Sequence, residues 1–145
     1  KHAALTYWHD KMPAKNLCPP LVLDIALQPI PIAHYDAFFT ANTFHIMPLE
    51  TVYQAITNIA NAMPKDGLFL IYGPFNFDGQ YTSASNQEFD AWLKADSAHQ
   101  GIRDFEDINK QCKISGLQSS DIIAMPANNF MLVFSKAKYM EEPNA

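Results

Sequence analysis

Apolar residues recur along this chain with more than one rhythm. Between Pro48 and Met63 the residues Leu49, Val52, Tyr53, Ile56, Ile59, Ala60 and Met63 stand at i, i+3, i+4, i+7, i+10, i+11 and i+14. That spacing makes one continuous stripe on a helix. Pro48 suits its first position, where a missing N–H costs nothing. Three other runs are unbroken and apolar: Leu21 to Ile25, Tyr35 to Asn42 and Leu68 to Tyr72. Runs without alternation predict strands of a parallel sheet covered on both faces.

The rest of the chain fills in around these. Leu5, Tyr7, Trp8 and Met12 fit a helix from His2 to Met12 loosely, and Pro13 stops it. Pro19 and Pro20 force an extended entry into the Leu21 run, and the two prolines that follow it, Pro29 and Pro31, predict a loop. After the central strand at Leu68 comes a polar loop from Gly73 to Thr82 that also carries Phe75, Phe77 and Tyr81. It exceeds the usual connection of about 4 to 6 residues. Two readings fit those aromatics: a ligand platform, or packing beneath the loop. A helix from Ser85 to Ala95 turns Phe89, Trp92 and Leu93 inward. Another spans Asp104 to Ser115, with Asp104 as its N-cap, Phe105, Ile108 and Cys112 on its buried face, and Gly116 as a left-handed stop. The final apolar runs, Asp121 to Met125 and Phe130 to Phe134, are too close for a crossover and predict an antiparallel hairpin.

The fold class expected is therefore α/β: a Rossmann-like, mostly parallel sheet ending in an antiparallel hairpin. Residues 1–136 form a single domain and 137–145 a flexible tail. With 145 residues, 48% hydrophobic and 17% charged, the chain supports one core. A net charge of −5 offers no basic field for a phosphate backbone, which argues against nucleic acid as partner. No run approaches the ~18 apolar residues of a membrane span. Cys18 and Cys112 lack a C-x-x-C spacing, and no signal-peptide pattern opens the chain, so a cytoplasmic setting is expected. The five histidines show no metal-ligand spacing.

In an open α/β sheet ligands sit just past the carboxyl ends of the strands. Here those positions hold Asp24, then Asn42-Thr43-Phe44-His45, then Tyr72-Gly73-Pro74-Phe75. An acid such as Asp24 accepts from a ribose hydroxyl or an adenine amino group, or else caps a turn. Asn42 offers an amide to a ligand, or closes an Asx-turn. His45 is the one base of the set that titrates near neutrality, or else a packed histidine.

The segments TANTFHI, YGPFNFDGQYTSASNQEFDAWLK, GIRDFEDI and MPANNFMLVF resemble the methyltransferase-like twenty-six family, uncharacterised proteins similar to class I S-adenosylmethionine (SAM)-dependent methyltransferases. The resemblance runs from the opening helix to Phe134. It implies a mostly parallel sheet with one antiparallel strand, SAM as cofactor and a small-molecule acceptor. By position it implies that Asp24 and Ile25 contact the adenine side of the cofactor, and that Ala41 and Asn42 lie beneath its methionine end. His45, with Asn42, would face the acceptor as the catalytic pair. Tyr72, Phe75, Asn86, Arg103, Asn128 and Asn129 would line the acceptor side. Arg103 fits either a bidentate clamp on an anion or an ion pair with Asp104 or Glu106.

The family's glycine-rich loop has no counterpart here: the five glycines contain no G-x-G. The chain also opens inside an apolar-periodic run with no capping residue before it. The expectation is a protein extending upstream by on the order of 50 to 60 residues, about two β-α units, with this portion inactive alone; the alternative is a non-catalytic module that binds a small molecule or a protein on a degenerate Rossmann-like fold. Its open sheet edge at Tyr35–Ala41 would then be covered by a second copy, a swapped segment or the Leu21 run.

Overall fold

The computed structural model describes residues 2–31 and 35–136. Its centre is strand β2, Leu68–Gly73, paired in parallel with β1, Ala37–Ala41. The chain passes from β1 to β2 through helix α2, Leu49–Ala62. On the other side of β2 lies the reversed strand β6, Asn129–Lys136, and beyond it β5, Leu117–Met125. The order is β1-β2-β6-β5. Three strands thus point one way and β6 opposes them, the mixed arrangement expected from the sequence.

Helices α2 and α4 (Phe105–Ile114) cover one face. Val52, Ile56, Ile59, Ala60 and Met63 of the α2 stripe meet Phe69 and Ile71 of β2, Leu132 and Phe134 of β6, and Ile108 and Cys112 of α4. Burial pushes the Cys112 thiol up to about 12, so it stays protonated and inert. Gly116, at φ 84°, makes the left-handed stop after α4. Asp104 sits at the N-cap of α4 but makes no side-chain cap bond.

The expectation of burial on both faces fails. Phe69, Ile71 and Gly73 are buried, whereas the alternate residues Leu68, Leu70 and Tyr72 are not. Registered beside them on that second face are Phe39, Val133 and Met131, and Phe39 is 64% exposed. No described helix lies over this face, because α1, His2–Lys11, buries none of its residues. Leu21 to Ile25 is not a strand either. Asp24 closes a turn, its carboxylate accepting from the Ala26 N–H at 3.0 Å, and Asn58 of α2 donates to the carbonyls of Ile25 and Gln28. Leu21, Leu23 and Ile30 rest beside the β1 edge with Phe38 and Phe39 and form an apolar groove there. Trp92, expected inward, is 63% exposed; on helix α3, Ala84–Asp96, the buried face runs through Asn86, Asp90 and Leu93. The predicted tail 137–145 lies outside the described residues. No helix among the described residues is long and apolar enough to cross a membrane.

The hairpin β5–β6 closes through Ala127 and Asn128, both in the left-handed region at φ 59° and 56°. Two positive central φ values make a type I′ turn, whose twist matches that of the strands. Asparagine tolerates this conformation; alanine does so at a cost. Ala127→Gly is expected to raise stability by about 0.5–1 kcal/mol in urea unfolding, after allowing for the looser unfolded chain. An unchanged or lowered midpoint would show that Ala127 carries no strain.

Candidate functional site

The parallel strands β1 and β2 end at one rim, and the tip of the β5–β6 hairpin reaches the same rim because β6 starts there. The N-terminus of α3 arrives beside it, with Ser83 capping the Asn86 N–H at 3.0 Å. These four ends enclose an open cleft of about 510 Å³. Its walls include Asn42 and His45 after β1, Pro74 after β2, Asn86 and Phe89 of α3, and Asn129 of the hairpin. The cleft brings together Asn42 and His45, named for their places past β1, and Asn86 and Asn129, named through the family resemblance.

His45 is 7% exposed, and its ring meets Phe89 edge-on at 5.3 Å. Neither ring nitrogen has a hydrogen-bond partner among the described residues. Burial first, and the Arg103 charge second, hold its pKa below the ordinary histidine value. The imidazole is accordingly neutral near pH 7 and able to accept a proton. Its backbone is fastened from several sides. The Gly101 N–H donates to the His45 carbonyl at 2.9 Å. Arg103 donates from Nε to the Phe44 carbonyl at 3.0 Å, and from Nη2 to the Met47 and His99 carbonyls at 2.6 and 2.7 Å.

Arg103 thus matches neither sequence reading. It clamps three carbonyls and pairs with neither Asp104 nor Glu106. A guanidinium suits this use because its fork of donors serves several acceptors at once. Asn42 sits at φ 55°, its N–H donating to the Tyr72 carbonyl at 2.9 Å, which lifts its side chain to the cleft. Gly73 lies between: a Cβ there would stand 3.7 Å from Asn42 Oδ1 and 3.9 Å from His45 Nδ1. Asn86 Nδ2 donates to Thr82 Oγ1 and to the Asn128 carbonyl, both at 3.0 Å. Asn128 in turn donates to Ser85 Oγ at 3.2 Å. Asn128 is thus a strut between hairpin and helix and does not line the cleft.

Other expected site residues go elsewhere. Phe75 is 1% exposed and packs in the core beneath the cleft. Ala41 and Tyr72 are register partners on the uncovered face of the sheet, and Tyr72 serves the rim through its carbonyl. Asp24 and Ile25 lie beside the C-terminal half of α2, whereas the cleft stands at the opposite end of that helix. Of the loop aromatics Phe77 packs, stacking on Phe105 at 5.5 Å and meeting Phe130 at 4.9 Å, whereas Tyr81 is exposed and donates its hydroxyl to Asp90.

Sequence reasoning passed over Asp90, Ser85 and Phe89. Asp90 is 1% exposed and accepts from Tyr81, from Lys94 and from the Ile102 N–H at 2.7 Å. Burial raises its pKa, but the bonds from Lys94, Tyr81 and Ile102 outweigh that and hold it below the usual carboxylate value. A Cβ on Gly101, at φ 154°, would come within 3.1 Å of Asp90 Oδ1, so the close approach there uses glycine. The i, i+3, i+4 spacing of Asn86, Phe89 and Asp90 was the available signal.

Residues 1–136 match the model of the family described as protein of unknown function, DUF938. The chain belongs to that family. Solved structures give the wider kinship. The mitomycin 7-O-methyltransferase MmcR is 18% identical, with a TM-score of 0.79 over 94% of this chain and 39% of its own. LaPhzM is 14% identical, with a TM-score of 0.76 over 94% of this chain and 40% of its own. The methyltransferase CalO1 of calicheamicin biosynthesis, in its SAH-bound form, is 17% identical, with a TM-score of 0.67 over 81% and 34%. The DUF938 chain therefore has the fold of the C-terminal part of SAM-dependent methyltransferases, and it spans about two fifths or less of the length of these structures.

Proposed function

We propose that the protein carrying this chain is a SAM-dependent methyltransferase for a small acceptor, related to the methyltransferase-like twenty-six proteins, and that this chain supplies its acceptor side. The observation that supports this best is a buried, neutral His45 walling a polar cleft at the carboxyl rim of a methyltransferase-type sheet.

Of the four positions expected to meet the cofactor, Asn42 fits, because it lines the cleft, while Ala41 ends β1 beside it on the uncovered face of the sheet. Asp24 and Ile25 do not fit as placed, since the Asp24 carboxylate is engaged within its own turn. When bound, SAM supplies an electrophilic methyl group. Asn42 and Asn86 orient the acceptor with their amides, and Phe89 with Pro74 keeps water from one side of it. His45 takes the acceptor's proton as its lone pair turns toward the methyl group. Positioning carries most of the rate in such a reaction, and the base matters where the acceptor must lose a proton. The chain alone is inactive on this reading.

Calorimetry of the intact protein with SAM and, separately, with NAD tests it. Saturable heat with SAM and none with NAD is expected; the reverse would place the protein among dinucleotide enzymes.

The β1 edge has no strand partner among the described residues. We propose that a second copy of the chain covers it. Sedimentation velocity on the 145-residue chain is expected to show a dimer; a monodisperse monomer at all concentrations contradicts this.

A further inference from the structure

We propose that Arg103 is a positioning residue: it grips the backbone carbonyls of the turn that carries His45 and so aims the imidazole into the cleft. On the methyl-transfer reading, on which this inference rests, that ring is the base; the grip itself can be read without turnover.

The turn depends on partners outside it. Between β1 and α2 the chain folds back, with the Ile46 and Met47 N–H groups both donating to the Thr43 carbonyl at 3.2 Å. The carbonyls of Phe44, His45 and Met47 are all served by one distant segment, residues 101–103. The Gly101 N–H donates to His45, Arg103 Nε to Phe44 and Arg103 Nη2 to Met47. Phe44 and His45 are both buried, and a buried carbonyl left without a donor is costly. A planar guanidinium holds its donors at fixed angles and reaches two of these carbonyls at once, whereas an ammonium offers a single point. The gripping segment is itself fixed from other sides. The Ile102 N–H donates to Asp90 of α3, and Arg103 stands in parallel register beside Phe75.

The ring has no comparable hold of its own. A histidine that moves protons is ordinarily aimed by a hydrogen bond to its second ring nitrogen. Among the described residues His45 has none; its ring lies edge-on to Phe89 at 5.3 Å and opens on the cleft. Its direction is therefore set by that packing and by the backbone beneath it, which Arg103 secures. Burial and, second to it, the Arg103 charge keep the ring neutral. The other charged groups on the neighbouring helix, Asp90 and Lys94, pair with each other. One guanidinium thus places the base and helps to keep it unprotonated. A purely structural arginine would leave the ring where it is in any variant that still folds.

NMR of the intact protein, wild type and Arg103→Lys, reads the ring directly. Lysine keeps the charge and drops the fork. Expected in the folded variant is loss of the His45–Phe89 ring contact, with the ring pKa climbing toward the ordinary histidine value as burial is lost. The kcat for methyl transfer should fall by about 10²-fold with the KM for SAM nearly unchanged. The wild type supplies a measurement for which no variant has to fold: the Arg103 Nε–H should exchange with solvent at least about tenfold more slowly than that of free arginine. A His45 ring unmoved in the variant overturns the proposal, as does an Nε–H that exchanges at the free rate. A displaced ring with turnover intact would uphold the grip and remove His45 from the reaction. Turnover lost with the ring in place would overturn the grip and leave the methyl-transfer reading standing.

Discussion

His45→Ala is expected to slow methyl transfer in the intact protein by about 10²- to 10⁴-fold, the usual contribution of a positioned acid–base group. On the proposed reading SAM affinity should change little, because that reading assigns His45 to the acceptor. The reason lies in the site's physical chemistry. Burial against Phe89 and the nearby Arg103 charge both disfavour the imidazolium, so the ring is held in its proton-accepting form. The rate should therefore stay level near neutrality and decline only as the pH falls below the ordinary histidine value and through the lowered one. Stability follows the same sign. A base whose folded pKa is depressed protonates first in the unfolded chain, so stability is full above about pH 6.5 and diminishes as the pH falls through the folded value. His45→Ala should lack both acid limbs. Stopped-flow single turnovers across pH, beside urea midpoints, measure the two together; wild-type turnover in the variant removes His45 from the mechanism.

Asp90→Ala should be the most damaging single change to the fold outside the apolar core, costing about 3–5 kcal/mol. The carboxylate is buried and ties three segments together: Tyr81 of the loop, Lys94 of its own helix and the Ile102 N–H that leads into β4, Arg103–Asp104. Removal leaves the Ile102 N–H buried without a partner. For a chain of this size the thermal midpoint should fall by roughly 10 °C or more. Asp90→Asn, which keeps an acceptor for Ile102, should lose less. The carboxylate's depressed pKa gives a pH signature as well. Its contribution is present above the unfolded carboxylate value and lost as the pH falls through the folded one, so the gap between wild type and Asp90→Ala should narrow in acid. A variant that unfolds with the wild-type midpoint would show the network to be ornamental. Because the Gly101 N–H holds the His45 carbonyl, loss of the network should also loosen the turn that carries His45.

Much of this fold was readable because its central elements have unmistakable periodicity. The α2 stripe and the uninterrupted Leu68 run needed no tertiary context, and the short Pro126-to-Asn129 gap forced the hairpin. The Leu21 run misled: its four apolar residues, interrupted by Asp24, rest beside the β1 edge without pairing to it, and Asp24 closes a turn. Strand β5 begins four residues earlier than expected, at Leu117, because the polar stretch Gln118–Ser120 conceals an edge strand with a register shift between Ser119 and Asp121. Burial on both faces was inferred from apolar runs alone, and such runs do not reveal which helices exist to cover them. In the cleft, positions just past the strands gave Asn42 and His45. Arg103 was misassigned because sequence shows a charge but not the carbonyls it will find. Asp90 was missed for the converse reason: a carboxylate in a helix reads as surface until its partners from Tyr81 and Ile102 fold around it.

The most direct measurement is a crystal structure of the intact protein with S-adenosylhomocysteine. The thioether sulfur is expected to open onto the cleft at Asn42, with His45 across the space left for the acceptor. A sulfur directed to the opposite rim, or a cofactor seated with no path to that cleft, would contradict the assignment of His45 and the cleft to methyl transfer.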